Sequence, residues 1–172
     1  MEIFVNLQTV VDISQIAAAA TVIGGTFFGL VQLKEFRKQR QETIAGDLMR
    51  TFMSAEFSNA ITIALGFPDG ISAEAMRSKG PDAEKAAVLI ETTFETMGLL
   101  VFERIAPFSL VLKLAGGTIV LMWRKLGPWV TELRAEQSNP YDGEWFQWLA
   151  EQCAQRKSAD LPAHIRHRSW VP

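Results

Sequence analysis

The stretch Ile13–Leu33 reads ISQIAAAATVIGGTFFGLVQL, 21 consecutive positions without a charge, and it is followed at once by Lys34, Glu35, Phe36, Arg37, Lys38, Gln39 and Arg40. At 1.5 Å rise per residue such a run is about 31 Å long as a helix, close to the roughly 30 Å hydrocarbon core of a bilayer. It predicts a transmembrane helix over 13–33. Cleaved secretory signals begin with a basic region and have a shorter apolar stretch. The residues before Ile13 instead carry Glu2 and Asp12 and no Lys or Arg, so an uncleaved anchor is expected. Four basic residues lie within seven positions on the C-terminal side and none on the other. Basic flanks stay inside, which predicts residues 1–12 outside and the bulk of the chain cytoplasmic.

Working outward, residues 34–46 read as a basic juxtamembrane extension of the same helix. Lys34, Arg37, Lys38 and Arg40 are placed to set topology and to touch anionic head groups. Positions 41–172 hold 13 basic and 16 acidic residues. That balance has no electrostatic footprint for nucleic acid. Cys153 is the sole cysteine, so no intrachain disulfide can form, in keeping with a reducing compartment.

The remainder reads as all-α. A second helix is expected over 47–65, with a break near Ser54, and it is ended by the turn cluster Gly66-Phe67-Pro68-Asp69-Gly70. Ser72 with Glu74 starts a short helix that Gly80-Pro81 stops. Asp82 then serves as the N-cap of a longer helix, in which Ala83, Ala86, Ala87, Ile90, Phe94, Met97 and Val101 recur at three and four residues, the spacing of one buried face. Pro107 breaks the chain, and a further helical run extends toward Trp129 and Leu133. After Asn139-Pro140-Tyr141-Asp142-Gly143 comes a last helix from Glu144 to Lys157, with Trp145, Trp148, Leu149 and Gln152 along one side. The helical domain is expected to span 47–157, followed by an extended C-terminal tail over 158–172. The apolar run Ile105–Trp123 has the length of a second span, but Lys113 near its middle costs about 2.5–3.5 kcal/mol on insertion, and a domain core is the better destination.

Three segments carry a family resemblance. They are Glu95-Thr96-Met97-Gly98-Leu99-Leu100-Val101, then Trp123-Arg124-Lys125-Leu126 with Leu133-Arg134, then Glu144-Trp145-Phe146-Gln147-Trp148-Leu149-Ala150. Together these resemble an uncharacterised bacterial family, a domain of unknown function of the 4760 type, whose members carry an N-terminal single-pass helix and a helical domain. The resemblance implies an all-α cytosolic domain on an anchor and brings no catalytic residues with it. The run after Pro107 is more apolar than that family leads one to expect.

Candidate sites follow from residue types. On the anchor, Ala17, Thr21, Gly25 and Gly29 form a small-residue ridge at four-residue spacing, with Gly25 and Gly29 as a G-x-x-x-G that lets two backbones approach. Ile13, Ile16, Ile23, Phe27, Leu30 and Val31 lie roughly opposite. The ridge predicts self-association or a membrane protein partner beside the lipid bilayer itself. Glu91 and Glu95 stand at i, i+4, and a solvated face or pairing with Arg104, Lys113 or Arg124 accounts for them. His164 and His167 with Cys153 lack the arrangement of a metal site. Trp123, Trp129, Trp145 and Trp148 have the spacing of core residues rather than of a pocket. No nucleophile motif, phosphate loop or dinucleotide fingerprint occurs, and no cofactor is expected. The reading is a single-pass membrane protein whose helical domain is a binding or assembly module, the alternative being an accessory subunit of a larger inner-membrane complex.

Overall fold

The computed structural model describes residues 7–159 and 161–171. All its regular elements are helical: α1 (Leu7–Met53), α2 (Ala55–Leu65), α3 (Ala73–Ser78), α4 (Pro81–Phe102), α5 (Phe108–Leu114), α6 (Gly116–Glu136), α7 (Glu144–Ala159) and α8 (Ala163–Arg166). The chain divides into two compact units, 1–44 and 45–172.

The first unit is helical from Leu7 onward. At 47 residues, α1 is more than twice the length of the uncharged stretch within it and stays helical through Gly46. No proline occurs in it, and its threonines Thr26, Thr43 and Thr51 satisfy their hydroxyls on carbonyls four residues earlier. Among the described residues no helix is long and apolar enough to cross a membrane. The single-pass anchor expected at 13–33 therefore gains no support from the helices described. Side chains 16–20, with Ile16 and four alanines, lie outside those described, and Ser14, Gln15, Thr21, Thr26 and Gln32 dilute the apolar content around them.

The second unit has a closed core. Its centre is α4, packed between α2 and α7, with α6 against α7 and the short α3 against both α4 and α6. The face predicted for α4 is the one buried, from Ala83 through Ile90, Phe94 and Met97 to Val101. An aromatic chain runs through the core: Phe57 meets Phe94 edge-on at 5.8 Å, Phe94 meets Phe146 at 5.2 Å, and Phe146 meets Trp123 edge-on at 5.1 Å. Such pairs add about 0.5–1.5 kcal/mol each beyond their buried area.

Several boundaries differ from expectation, each for a local reason. Asp47–Met53 belongs to α1, and the break expected near Ser54 is present: Ser54 is the N-cap of α2, its hydroxyl accepting from the Phe57 amide at 3.2 Å. Ser72 caps α3 as predicted. The N-cap of α4 is Gly80, not Asp82: Gly80 sits at φ 90°, which glycine alone adopts freely, and Pro81 takes the first helical position, where its missing N–H costs nothing. The run 105–123 is not one helix, because the chain turns at Ala115 between α5 and α6. It contributes Ala106, Val111, Ala115, Ile119 and Met122 to the core. On α7 the buried line is Phe146, Leu149, Ala150 and Cys153, one step round from the predicted one. The tail is not wholly extended, since Pro162 starts the single turn of α8.

Candidate functional site

On α1 the described side chains of the predicted ridge and of the apolar face are exposed. A Cβ built on Gly24, Gly25 or Gly29 meets nothing within 4 Å among the described residues. Val22, Ile23, Phe27, Phe28 and Leu30 are all more than 60% exposed, and Lys34 is exposed below them. The Thr26 hydroxyl donates to the Val22 carbonyl at 2.8 Å, which leaves no unsatisfied donor on this stretch from that side chain. The side chains of Ala17, Arg37, Lys38 and Arg40 lie outside those described.

In the helical domain, Glu91 and Glu95 are not a solvated face, and neither pairs with Arg104, Lys113 or Arg124. Arg124 is engaged elsewhere, with Asp69 at 3.0 Å. Glu95 reaches from α4 to the start of α7, where its carboxylate accepts from the Phe146 amide at 2.7 Å and from the Trp145 amide. The first amides of a helix have no partner within it and carry the positive end of its dipole, so a carboxylate there is well placed. Burial raises the Glu95 pKa, and those two amides pull it back.

One turn earlier, Glu91 has its pKa raised to about 7, chiefly by burial and then by the neighbouring charges of Asp142 and Glu95. Its Oε2 accepts from the Thr92 hydroxyl at 3.2 Å. The facing cation is Arg134 of α6. Arg134 donates through Nε to the Asp142 carbonyl and through Nη1 to Gln147 Oε1 at 2.7 Å, while its buried Nη2 has no hydrogen-bond partner among the described residues. Gly143 lies between the two, a Cβ there falling 3.5 Å from Glu91 Oε1 and 3.7 Å from Arg134 Nη2. Nothing in the sequence flagged this cluster, because its members come from α4, α6 and the turn before α7. The resemblance segments contain Glu95, Arg134 and Gln147 but do not pair them.

Beside this cluster, a groove of about 690 Å³ runs between α4 and α6. Val88, Leu89, Trp129 and Leu133 give it an apolar lining, with Glu84 and Lys85 at its edge. A shallower hollow of about 540 Å³ lies along α6 over Trp123, Pro128 and Thr131. The groove has room for an apolar side chain row from a partner, and it holds no convergent set of acid, base and nucleophile.

The tryptophans divide. Trp129 is buried and Trp123 joins the core, whereas the half-exposed Phe102 lies tilted against Trp145 at 4.5 Å and meets Trp148 edge-on at 5.8 Å. Cys153 is buried, and that burial pushes its thiol up to about 11, so it is an inert core group. His164 and His167 lie on and beside α8, and among the described residues no three His, Cys, Asp or Glu side chains are grouped to hold a metal ion.

The sequence model of the family described as a domain of unknown function (DUF4760) matches residues 8–153. No curated protein and no solved structure matches the chain.

Proposed function

The chain belongs to the family described as a domain of unknown function (DUF4760), and from that premise we propose that it is a membrane-anchored helical binding or assembly module. In this reading residues 13–33 of α1 lie in a bacterial inner membrane with the N-terminus outside. Lys34, Arg37, Lys38 and Arg40 meet the inner head groups, and the helical domain presents its α4–α6 groove to a cytoplasmic partner.

One observation carries the reading: an uncharged helical stretch keeps Val22, Ile23, Phe27, Phe28 and Leu30 in the open while the domain beyond it has its own closed core. Apolar side chains left in water forgo about 25 cal/mol per Å² of burial, and a bilayer recovers that for a whole helix circumference at once. The small-residue side, with Gly25 and Gly29, then faces a second helix, either another copy or a membrane protein partner.

The accessory-subunit reading draws on the groove. Val88 and Leu89 are 50% and 37% exposed at its lip, and a permanent neighbour in a larger complex would cover them.

A cysteine-labelling scan with a membrane-impermeant reagent tests the topology. Cys153 is buried and contributes little background. Labelling in intact cells is expected at a cysteine introduced at Asn6 and not at Ser158. Labelling at Ser158 overturns the orientation, and full release of the chain by alkaline carbonate overturns the span.

A further inference from the structure

Between Leu161 and Val171 four large apolar side chains stand in solvent: Leu161, Ile165, Trp170 and Val171, each at least half exposed. Interleaved with them are His164, Arg166, His167 and Arg168. The charge of the chain changes sign here. Residues 41–155 hold nine basic and 15 acidic side chains, whereas 156–172 hold four basic and one acidic.

Part of the backbone of this segment is satisfied by local turns. The amides of Ile165 and Arg166 donate to the Pro162 carbonyl at 2.9 and 3.0 Å, that of His167 to Ala163 at 2.9 Å, and that of Trp170 to His167 at 3.0 Å. A segment with its peptide groups bonded internally enters a low-dielectric interface at much lower cost than one that must strip water from them.

We propose that residues 161–171 are an interfacial contact that lies on an anionic bilayer surface. Trp170 sits at the head-group level with Ile165 and Leu161 below it, and the basic side chains meet lipid phosphates. Charge complementarity selects this occupant. The net-acidic domain of another copy also attracts Arg168, and its α4–α6 groove takes apolar side chains, but Lys85 stands beside Glu84 at the edge of that groove and repels a basic segment. An anionic membrane interface takes both kinds of side chain at once. The proposal rests on the membrane reading only in placing a bilayer near the domain, and it does not need residues 13–33 to span.

The full chain is added to vesicles of phosphatidylcholine, with or without phosphatidylglycerol, whose acyl chains are brominated near the glycerol. The fluorescence difference between the wild type and Trp170→Phe isolates Trp170 from the other tryptophans. Quenching of that component in the anionic vesicles is expected, with a several-fold loss in Arg168→Glu and in pure phosphatidylcholine. An unquenched Trp170 component, or quenching indifferent to both the lipid charge and Arg168→Glu, overturns the proposal. A carbonate wash separates the two readings. A chain retained after washing with Trp170 unquenched sinks the interfacial contact and leaves the span. A chain that washes off, and whose binding before the wash depends on Arg168, sinks the span and leaves the contact.

Discussion

The amide of Gly70 donates to the carbonyl of Arg124 across 3.0 Å, at the one turn of α6 that Pro128 leaves open. Proline lacks the N–H that would bond four residues back, so the Arg124 carbonyl has no helical donor. The loop between α2 and α3 supplies it. Ile71 repeats the contact with its amide on the Lys125 carbonyl at 3.0 Å, and the Ala73 amide bonds Glu132 Oε2 at 2.6 Å. A proline in mid-helix, ordinarily costing about 3 kcal/mol, here marks a docking place for a neighbouring segment.

Lys125 locks the same junction. Its side chain is buried, and Nζ donates to the Phe67 carbonyl at 2.5 Å with Asp69 at 3.6 Å. Lys125→Met keeps the length of the stem but leaves the carbonyl without its donor, so a loss of about 1–3 kcal/mol is expected in denaturant unfolding of the full chain in detergent. Arg124→Met removes an ion pair between half-exposed partners and should cost no more than about 1 kcal/mol. Equal losses would mean that Lys125 contributes only as a surface charge.

At Gly98, α4 approaches the α7 backbone too closely for a side chain. A Cβ there would fall 2.3 Å from the Trp145 carbonyl oxygen and 2.7 Å from its carbon, which are backbone atoms that cannot swing aside. Gly98→Ala should therefore force the helices apart and lower stability by about 1–3 kcal/mol, despite the better helix propensity of alanine. At Gly117 the nearest atom is the end of the Lys157 side chain at 3.7 Å, so Gly117→Ala should be neutral or mildly stabilising. The pair is read by thermal melting, and a tolerated Gly98→Ala would rule out this packing.

What could be read in advance was local. The buried face of α4, the Ser72 cap and the turn at 66–70 depend on residues within a few positions of one another, and each stands where it was expected. The Gly80 start of α4 and the break at Ala115 depart from the expectation, because a cap and a kink differ by backbone angles that several residue types permit. The roles of Glu91, Glu95, Lys125 and Arg134 were hidden for another reason. Their partners are supplied by other helices, as with Glu95 and Phe146, 51 positions apart in the chain. At the α1 ridge, spacing picked out Gly25 and Gly29, and a Cβ at either meets nothing within 4 Å among the described residues.

The raised pKa of Glu91 sets a pH dependence. Burial and the charges of Asp142 and Glu95 hold its proton in the folded state to about 7, against 4.5 when unfolded. The folded state thus binds a proton more tightly, so its stabilising effect is complete below 4.5 and is lost as pH rises through 7. With solvent screening at a partly exposed site, the change across that window should be about 1 kcal/mol. Glu91→Gln keeps the shape without the charge. It should be more stable than the wild type at pH 8 and show a flatter melting temperature between pH 5 and 8. Parallel pH profiles for the two proteins would remove Glu91 as the source.

The ridge on α1 is tested by bulk at one position. Gly25→Ile places a branched side chain where a partner backbone would come closest and raises the apolar content, so insertion should not suffer. Leu30→Ile on the opposite side is the control. Helix contacts in membranes are worth about 1–2 kcal/mol each, and about 1.4 kcal/mol is a factor of ten in association. Crosslinking or a membrane two-hybrid assay of the full chain should therefore fall roughly tenfold for Gly25→Ile and stay unchanged for Leu30→Ile. If the two variants behave alike, Gly25 and Gly29 are incidental composition. A loss seen with the full chain but not with residues 1–44 alone would mean that the domain takes part in choosing the partner. In that case the α4–α6 groove, with Val88 and Leu89 at its lip, is the surface to mutate next.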